Sequence, residues 1–204
     1  MTSITRRTGE RGRDRRTVME ENLQQAMERL LEKGNSFTQV SVEQLAAEAG
    51  ISRATFYLHF RDKGELVARL MARVTTEIVE AASLVSPETV TQAELRKTVK
   101  AVVTIYRRHY AVMAAIVETA AYDDQVDALF RDMMDRLVDV NRRALTRLKQ
   151  AELLPTELPP QVADVITWAF ERSCHQLVHG RKPAQVNAVI DALTHIIWKS
   201  VYSH

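Results

Sequence analysis

The side chains of this chain best suited to chemistry cluster in one stretch, Ser41-Val-Glu-Gln-Leu-Ala-Ala-Glu-Ala-Gly50-Ile-Ser-Arg-Ala-Thr-Phe-Tyr-Leu-His-Phe60. Ser52, Arg53, Thr55, Tyr57 and His59 supply hydroxyls, a cation and an imidazole, with Phe56 and Phe60 between them. If the segment is a short helix, Phe56 and Phe60 point inward and the polar set points out. A short helix with donors at its start suits insertion into the major groove of duplex DNA, roughly 12 Å wide. An ordinary αα-hairpin shares the same periodicity.

Other chemistries find less support. The chain has no Gly-rich phosphate loop, no H-E-x-x-H and no nucleophile elbow. His175 and His179 lie at i, i+4 beside Cys174, but no third and fourth metal ligand is near them in sequence. Only Arg172 and those histidines could activate Cys174 as a redox thiol. The acidic run Asp123, Asp124, Asp127, Asp132, Asp135 and Asp139 reads as a helix start followed by a solvated face. No enzyme activity, metal or cofactor is expected.

The elements that would position the 41–60 stretch follow from hydrophobic period and caps. Met19, Leu23, Ala26, Met27, Leu30 and Leu31 recur at helical spacing until Gly34. Ser41 and Gln44 form an S-x-x-Q capping box, Gly50 supplies a turn residue that tolerates positive φ, and Ser52 can cap the next helix. Asp62 and Glu65 are spaced as a second box, opening a helix through Leu66, Leu70, Val74 and Ile78. Beyond Pro87 the pattern predicts a helix through Leu95, Val99 and Tyr106, a kink near His109, and a helix from Tyr110 to Tyr122. A long helix over 123–153 then turns Leu129, Phe130, Met133, Met134, Leu137, Leu145 and Leu148 inward. Three of the five prolines fall in 154–160, a loop, and two last helices cover about 161–179 and 183–202. The expectation is an all-α fold of about nine helices.

Composition agrees. The 204 residues contain only 6 Gly and 5 Pro, which suits long helices with few connections. The excess positive charge sits in residues 1–63, with 11 Lys/Arg against 9 Asp/Glu, and is densest in residues 1–16. That basic start reads either as a disordered solubilising tail or as an arm for a polyanion. The single Cys174 excludes an intrachain disulfide, and no run of 18 apolar residues or secretory h-region is present, so a cytoplasmic protein without membrane association is expected.

The segment Ser41–Leu70, centred on Ile51-Ser-Arg-Ala-Thr-Phe-Tyr-Leu-His-Phe-Arg-Asp-Lys63, resembles the helix-turn-helix domain of the TetR family of bacterial regulators. The tail, from Glu171-Arg172 through His195-Ile196 to Tyr202, resembles the ethionamide-resistance repressor branch of that family. The resemblance implies a disordered basic arm over 1–15, a helix-turn-helix DNA-binding domain over 16–62, and a ligand-binding and dimerisation domain over 63–204. It implies base contacts from Arg53, Ala54 and Thr55, with Arg53 long enough for a bidentate contact to guanine. Phosphate contacts are implied for Ser41, Ser52, Tyr57, His59 and Lys63, and Arg11, Arg13, Arg15 and Arg16 could reach an adjacent minor groove. The implied partners are a palindromic double-stranded DNA operator, a second copy of the chain, and a small effector that releases a repressor from DNA.

The last two helices carry apolar residues on more than one face: Val162, Val165, Ile166, Ala169, Phe170 and Leu177, then Val186, Val189, Ile190, Leu193, Ile196, Ile197 and Val201. Such helices must bury more than one face, which fits a homodimer through a four-helix bundle; packing within one chain would use the same faces. Tyr106, Met113, Phe130, Met134, Asn141, Trp168 and Glu171 are the candidate lining of a pocket for an apolar effector. The same Met and aromatic stripe also reads as plain core.

Overall fold

The computed structural model describes residues 4–83, 85–154 and 158–202, with residues 4–16 described by their backbone alone. Among these residues the chain is all-α. Helices α1 (Ile4–Glu32), α2 (Val42–Glu48) and α3 (Arg53–His59) form an N-terminal head. Helix α4 (Lys63–Ala82) runs out of the head into a body made of α5 (Gln92–Arg108), α6 (Tyr110–Ala120), α7 (Asp124–Gln150), α8 (Val162–Leu177) and α9 (Pro183–Val201).

Helical backbone begins at Ile4, within the stretch 1–15 expected as an arm. Leu23, Ala26, Met27 and Leu30 are buried and anchor the C-terminal half of α1. Once that part is fixed, each added residue extends an existing helix, and arginine is a good helix former. Residues 1–3 and the side chains of Arg11, Arg13, Arg15 and Arg16 lie outside the described residues.

The caps follow the sequence closely. Ser41 Oγ accepts the Gln44 N–H at 3.1 Å and Gln44 Oε1 accepts the Ser41 N–H at 2.8 Å. At α4, Asp62 accepts from the Glu65 N–H at 2.8 Å, but Glu65 reaches back to the Arg61 N–H rather than to Asp62. The expected box is therefore offset by one residue on its return side. Asp123 caps α7 through the N–H groups of Gln125 and Val126. Pro183 occupies the first turn of α9, where its missing N–H costs nothing. In the connection between α7 and α8, residues 155–157 are outside the described set.

Helix α4 joins head to body and packs on α5, α6 and α7, while α9 packs mainly on α5, and α7 on both α6 and α8. Its inner face buries Leu66, Val67, Leu70, Met71, Val74 and Ile78. The break at His109 is as expected, and its imidazole is buried. Gln24 of α1 donates to His109 Nδ1 at 3.0 Å, leaving the Nε2–H to face Glu77 of α4 at 3.2 Å. On α7, Asp127 and Asp132 pair with Arg131 and Arg136 at i, i+4, a solvated face rather than a ligand cluster. Leu129, expected inward, is 40% exposed on that helix.

Candidate nucleic-acid interface and effector cavity

Helices α2 and α3 meet at Gly50, whose φ of +71° is a conformation that L side chains rarely adopt. Leu45 and Ala46 are buried at the crossing, and Phe56 and Phe60 fix the inward side of α3. Arg29 of α1 and Lys33 just past its end both pair with Glu48, tying α2 to α1.

The direction of Phe56 and Phe60 decides what α3 offers to solvent. Residues two positions away from Phe56 on a helix lie about 200° around the axis, so Ala54 and Leu58 face directly outward. Leu58 is the most exposed large apolar side chain among the described residues, at 79%. Periodicity alone misses it, because an apolar residue is not expected on a polar face. Arg53, Ala54, Ser52 and Tyr57 are exposed as expected, whereas Thr55 and His59 are half-buried on the flanks. The Thr55 hydroxyl is 2.8 Å from Ser52 Oγ. Arg53 pairs with Glu43 of α2 at 2.8 Å and lies 5.4 Å from the centre of the Tyr57 ring.

Lys63 stands apart from that surface. Its ammonium donates to the carbonyls of Phe37, Thr38 and Val40 and lies 4.8 Å from the centre of the Phe37 ring. An ammonium has three protons, and each here has an acceptor in the α1–α2 loop. Burial holds its pKa below the usual lysine value. In this arrangement Lys63 shapes the head from within, and its three protons are committed to the loop rather than presented for a phosphate. On the other side of that loop, Glu118 of α6 accepts from Phe37 N–H, Thr38 N–H and the Thr38 hydroxyl.

The body contains an apolar cavity of about 190 Å³. Of the candidate lining residues, Tyr106, Met113, Asn141 and Glu171 lie on it; Phe130, Met134 and Trp168 do not. Met133 takes the place expected for Met134, because neighbouring helix positions point about 100° apart. Trp168 is 41% exposed and meets Phe130 edge to face on the outer side of α8. Thr167 and Phe170 turn inward instead, as do Ile78 and Ala82 of α4. Tyr106 Oη donates to Glu171 Oε1 at 3.1 Å and is 3.2 Å from His175 Nδ1. Burial raises the pKa of Glu171, and burial and the neighbouring Glu171 both raise that of Tyr106. Cys174 is buried and its pKa is raised by burial, opposite to an activated thiol.

His175 and His179 are engaged with aromatic groups. His179 stacks on Tyr110 at 3.6 Å, and no group of three or more metal-ligating side chains occurs among the described residues. No described helix is long and apolar enough to cross a membrane.

Comparison with known proteins agrees with this architecture. Residues 23–70 match the family of bacterial regulatory proteins of the tetR type, and residues 95–203 match the C-terminal domain of the transcriptional regulator EthR. The chain is 27% identical to the HTH-type transcriptional regulator EthR of Mycobacterium tuberculosis over 168 residues, 80% of this chain and 78% of that protein. It is 24% identical to EthR of Mycolicibacterium smegmatis, over 86% of this chain and 82% of that protein. Among solved structures, the TetR family regulator PfmR of Thermus thermophilus superposes with a TM-score of 0.67 at 18% identity, over 93% of this chain and 98% of its own. A tetR-family regulatory protein of Rhodococcus gives 0.70 at 15% identity, over 91% and 98%. The head built around Gly50 and the helical body thus match together, and the chain belongs to the TetR family of DNA-binding transcriptional regulators, a non-enzymatic class, with a C-terminal domain of the EthR type.

Proposed function

We propose that this regulator is a repressor that binds a palindromic operator as a homodimer and leaves it when a small, largely apolar effector enters the body. The observation that carries this reading is the span of α4. Its first turn sits in the head at Lys63, and its distal residues Ile78 and Ala82 line the cavity. A ligand that moves the α4 wall therefore acts on an element whose first turn follows α3, the helix offered to DNA, after a short connection. The ligand shifts the equilibrium only by its differential affinity for the DNA-competent and released states.

In this reading Arg53, Ala54 and Thr55 meet base edges, joined by Leu58, whose exposed side chain suits the methyl group of thymine. Ser41, Ser52, Tyr57 and His59 contact phosphate, and the arginines of the N-terminal extension of α1 add charge toward the duplex. Dimerisation through α8 and α9 is supported by Val165, Trp168, Leu177 and Ile196, which are all large, apolar and at least 41% exposed in the single chain. A bacterial chromosome as partner implies work in the cytoplasm.

The test is a footprint of the purified protein on DNA flanking its own gene, followed by a screen for small molecules that release it. Protection of an inverted repeat and its loss with an apolar compound are the expected results. Failure to protect any duplex at low ionic strength would remove the reading.

A further inference from the structure

The polar groups on the cavity wall differ in charge and in what serves them. Asn141 donates to the Thr167 hydroxyl at 2.8 Å, and Thr167 donates to the Ala163 carbonyl at 2.7 Å, so those groups serve one another. Glu171 differs. It is 9% exposed and, among the described residues, is the only acidic or basic side chain on the cavity wall. Among the same residues a single hydrogen bond reaches its carboxylate, from Tyr106. Because Tyr106 gives its one proton to Glu171, the contact with His175 makes the imidazole Nδ1–H the donor to the phenol oxygen. Donors therefore point in series toward the carboxylate, an arrangement that favours its anionic form, while burial opposes that form. A carboxylate can accept about four hydrogen bonds; this one receives one, and Arg172, the neighbouring cation whose charge lowers its pKa, is exposed to solvent rather than on the cavity wall.

We infer that the effector carries one protonated nitrogen on an apolar body, the nitrogen bound by Glu171 and the body by the aliphatic wall around Val99, Met133 and Leu137. The inference rests on the reading of this cavity as the effector site. An ammonium supplies further N–H donors and a positive charge on the cavity side of the carboxylate, where the wall has no cation of its own. An alcohol supplies a donor and no charge, and a carboxylate ligand meets a like charge in a low-dielectric site. Charge-assisted hydrogen bonds exceed neutral ones by enough to give at least about a tenfold margin.

The test is calorimetric titration of the full chain with octylamine, octan-1-ol and octanoate, which share one chain and differ in the head group, together with release of operator DNA by each. Octylamine is expected to bind at least about tenfold more tightly than octanol, and octanoate more weakly than both. Glu171→Gln should erase the margin of the amine over the alcohol, with helix content and a melting curve reporting a folded chain. Tyr106→Phe removes the internal donor but not the charge, so the margin should survive in it. Equal binding of amine and alcohol by the natural chain, or a margin that survives Glu171→Gln, overturns the inference. If octanol binds and releases DNA without any preference for the amine, the apolar-effector reading stands and the ammonium inference alone falls. If none of the three binds, both fall.

Discussion

Glu118 Oε2 lies 2.8 Å from the peptide nitrogen of Phe37, so a carboxylate of the body holds the loop between the first two helices of the head. Lys63 grips the same loop from the other side through the Phe37 carbonyl at 2.8 Å. The peptide units at 37 and 38 are clamped between one anion and one cation, and the orientation of α2 and α3 depends on both. The sign of the pH effect follows from the hydrogen bonds of Glu118. Burial alone would raise its pKa, but the Thr38 hydroxyl and the N–H groups of Thr38 and Phe37 hold it below the usual 4.5. A lowered folded-state value means stabilisation that is complete above about 4.5 and lost as pH falls through the folded-state value. Glu118→Gln should therefore melt below the natural chain at neutral pH, with the gap closing in acid. A melting series from about pH 7 to about pH 3 checks this, and a gap constant with pH would remove the role of the charge.

Lys63→Ala should cost about 1–2 kcal/mol of stability, because three loop carbonyls lose a charged donor. Hydrogen exchange should quicken across residues 36–40, while the dependence of operator affinity on salt stays unchanged. Loss of about one unit of slope in log K against log salt would instead return Lys63 to the phosphate backbone.

Local signals were the legible part of this fold. Ser41, Ser52, Asp62 and Asp123 act on N–H groups two or three residues ahead, so spacing alone reveals them. Gly50 and Pro183 were legible for the same reason, since each answers a backbone need at its own position. What could not be read was rotation and distance. Met133 and Met134 are both buried and apolar, yet only the first reaches the cavity. Lys63 and its acceptors are separated by 23 to 26 positions, and no periodicity connects them. Glu118 does have a signal in the sequence: it is the one charged residue of α6, and a lone carboxylate in an apolar helix needs a partner.

Arg53 and Leu58 should read different bases. The exposed Arg53–Glu43 pair contributes about 0–1 kcal/mol, so a guanine can take over the guanidinium at little cost. Arg53→Ala is expected to relax selection at one position per half-site by about 1–3 kcal/mol. Leu58→Ala should leave that position intact and weaken a thymine preference elsewhere. Selection from a random-sequence DNA pool separates the two, and an unchanged consensus for either variant would exclude that residue from base readout.

Ile196 is 56% exposed on α9 and Val165 is 64% exposed on α8, too much apolar surface to leave in water on two adjacent helices. In a two-fold interface every substitution appears twice, so Ile196→Asp buries two unpaired charges near the axis. The dimerisation constant should weaken by at least about 3 kcal/mol, with helix content and thermal unfolding of the monomer little changed. Operator affinity should collapse with it, because a single α3 reads too few base pairs to select a site. Sedimentation equilibrium distinguishes the outcomes directly. A variant that remains dimeric would move the interface away from α9, and one that is monomeric yet binds the full operator would remove the need for pairing altogether.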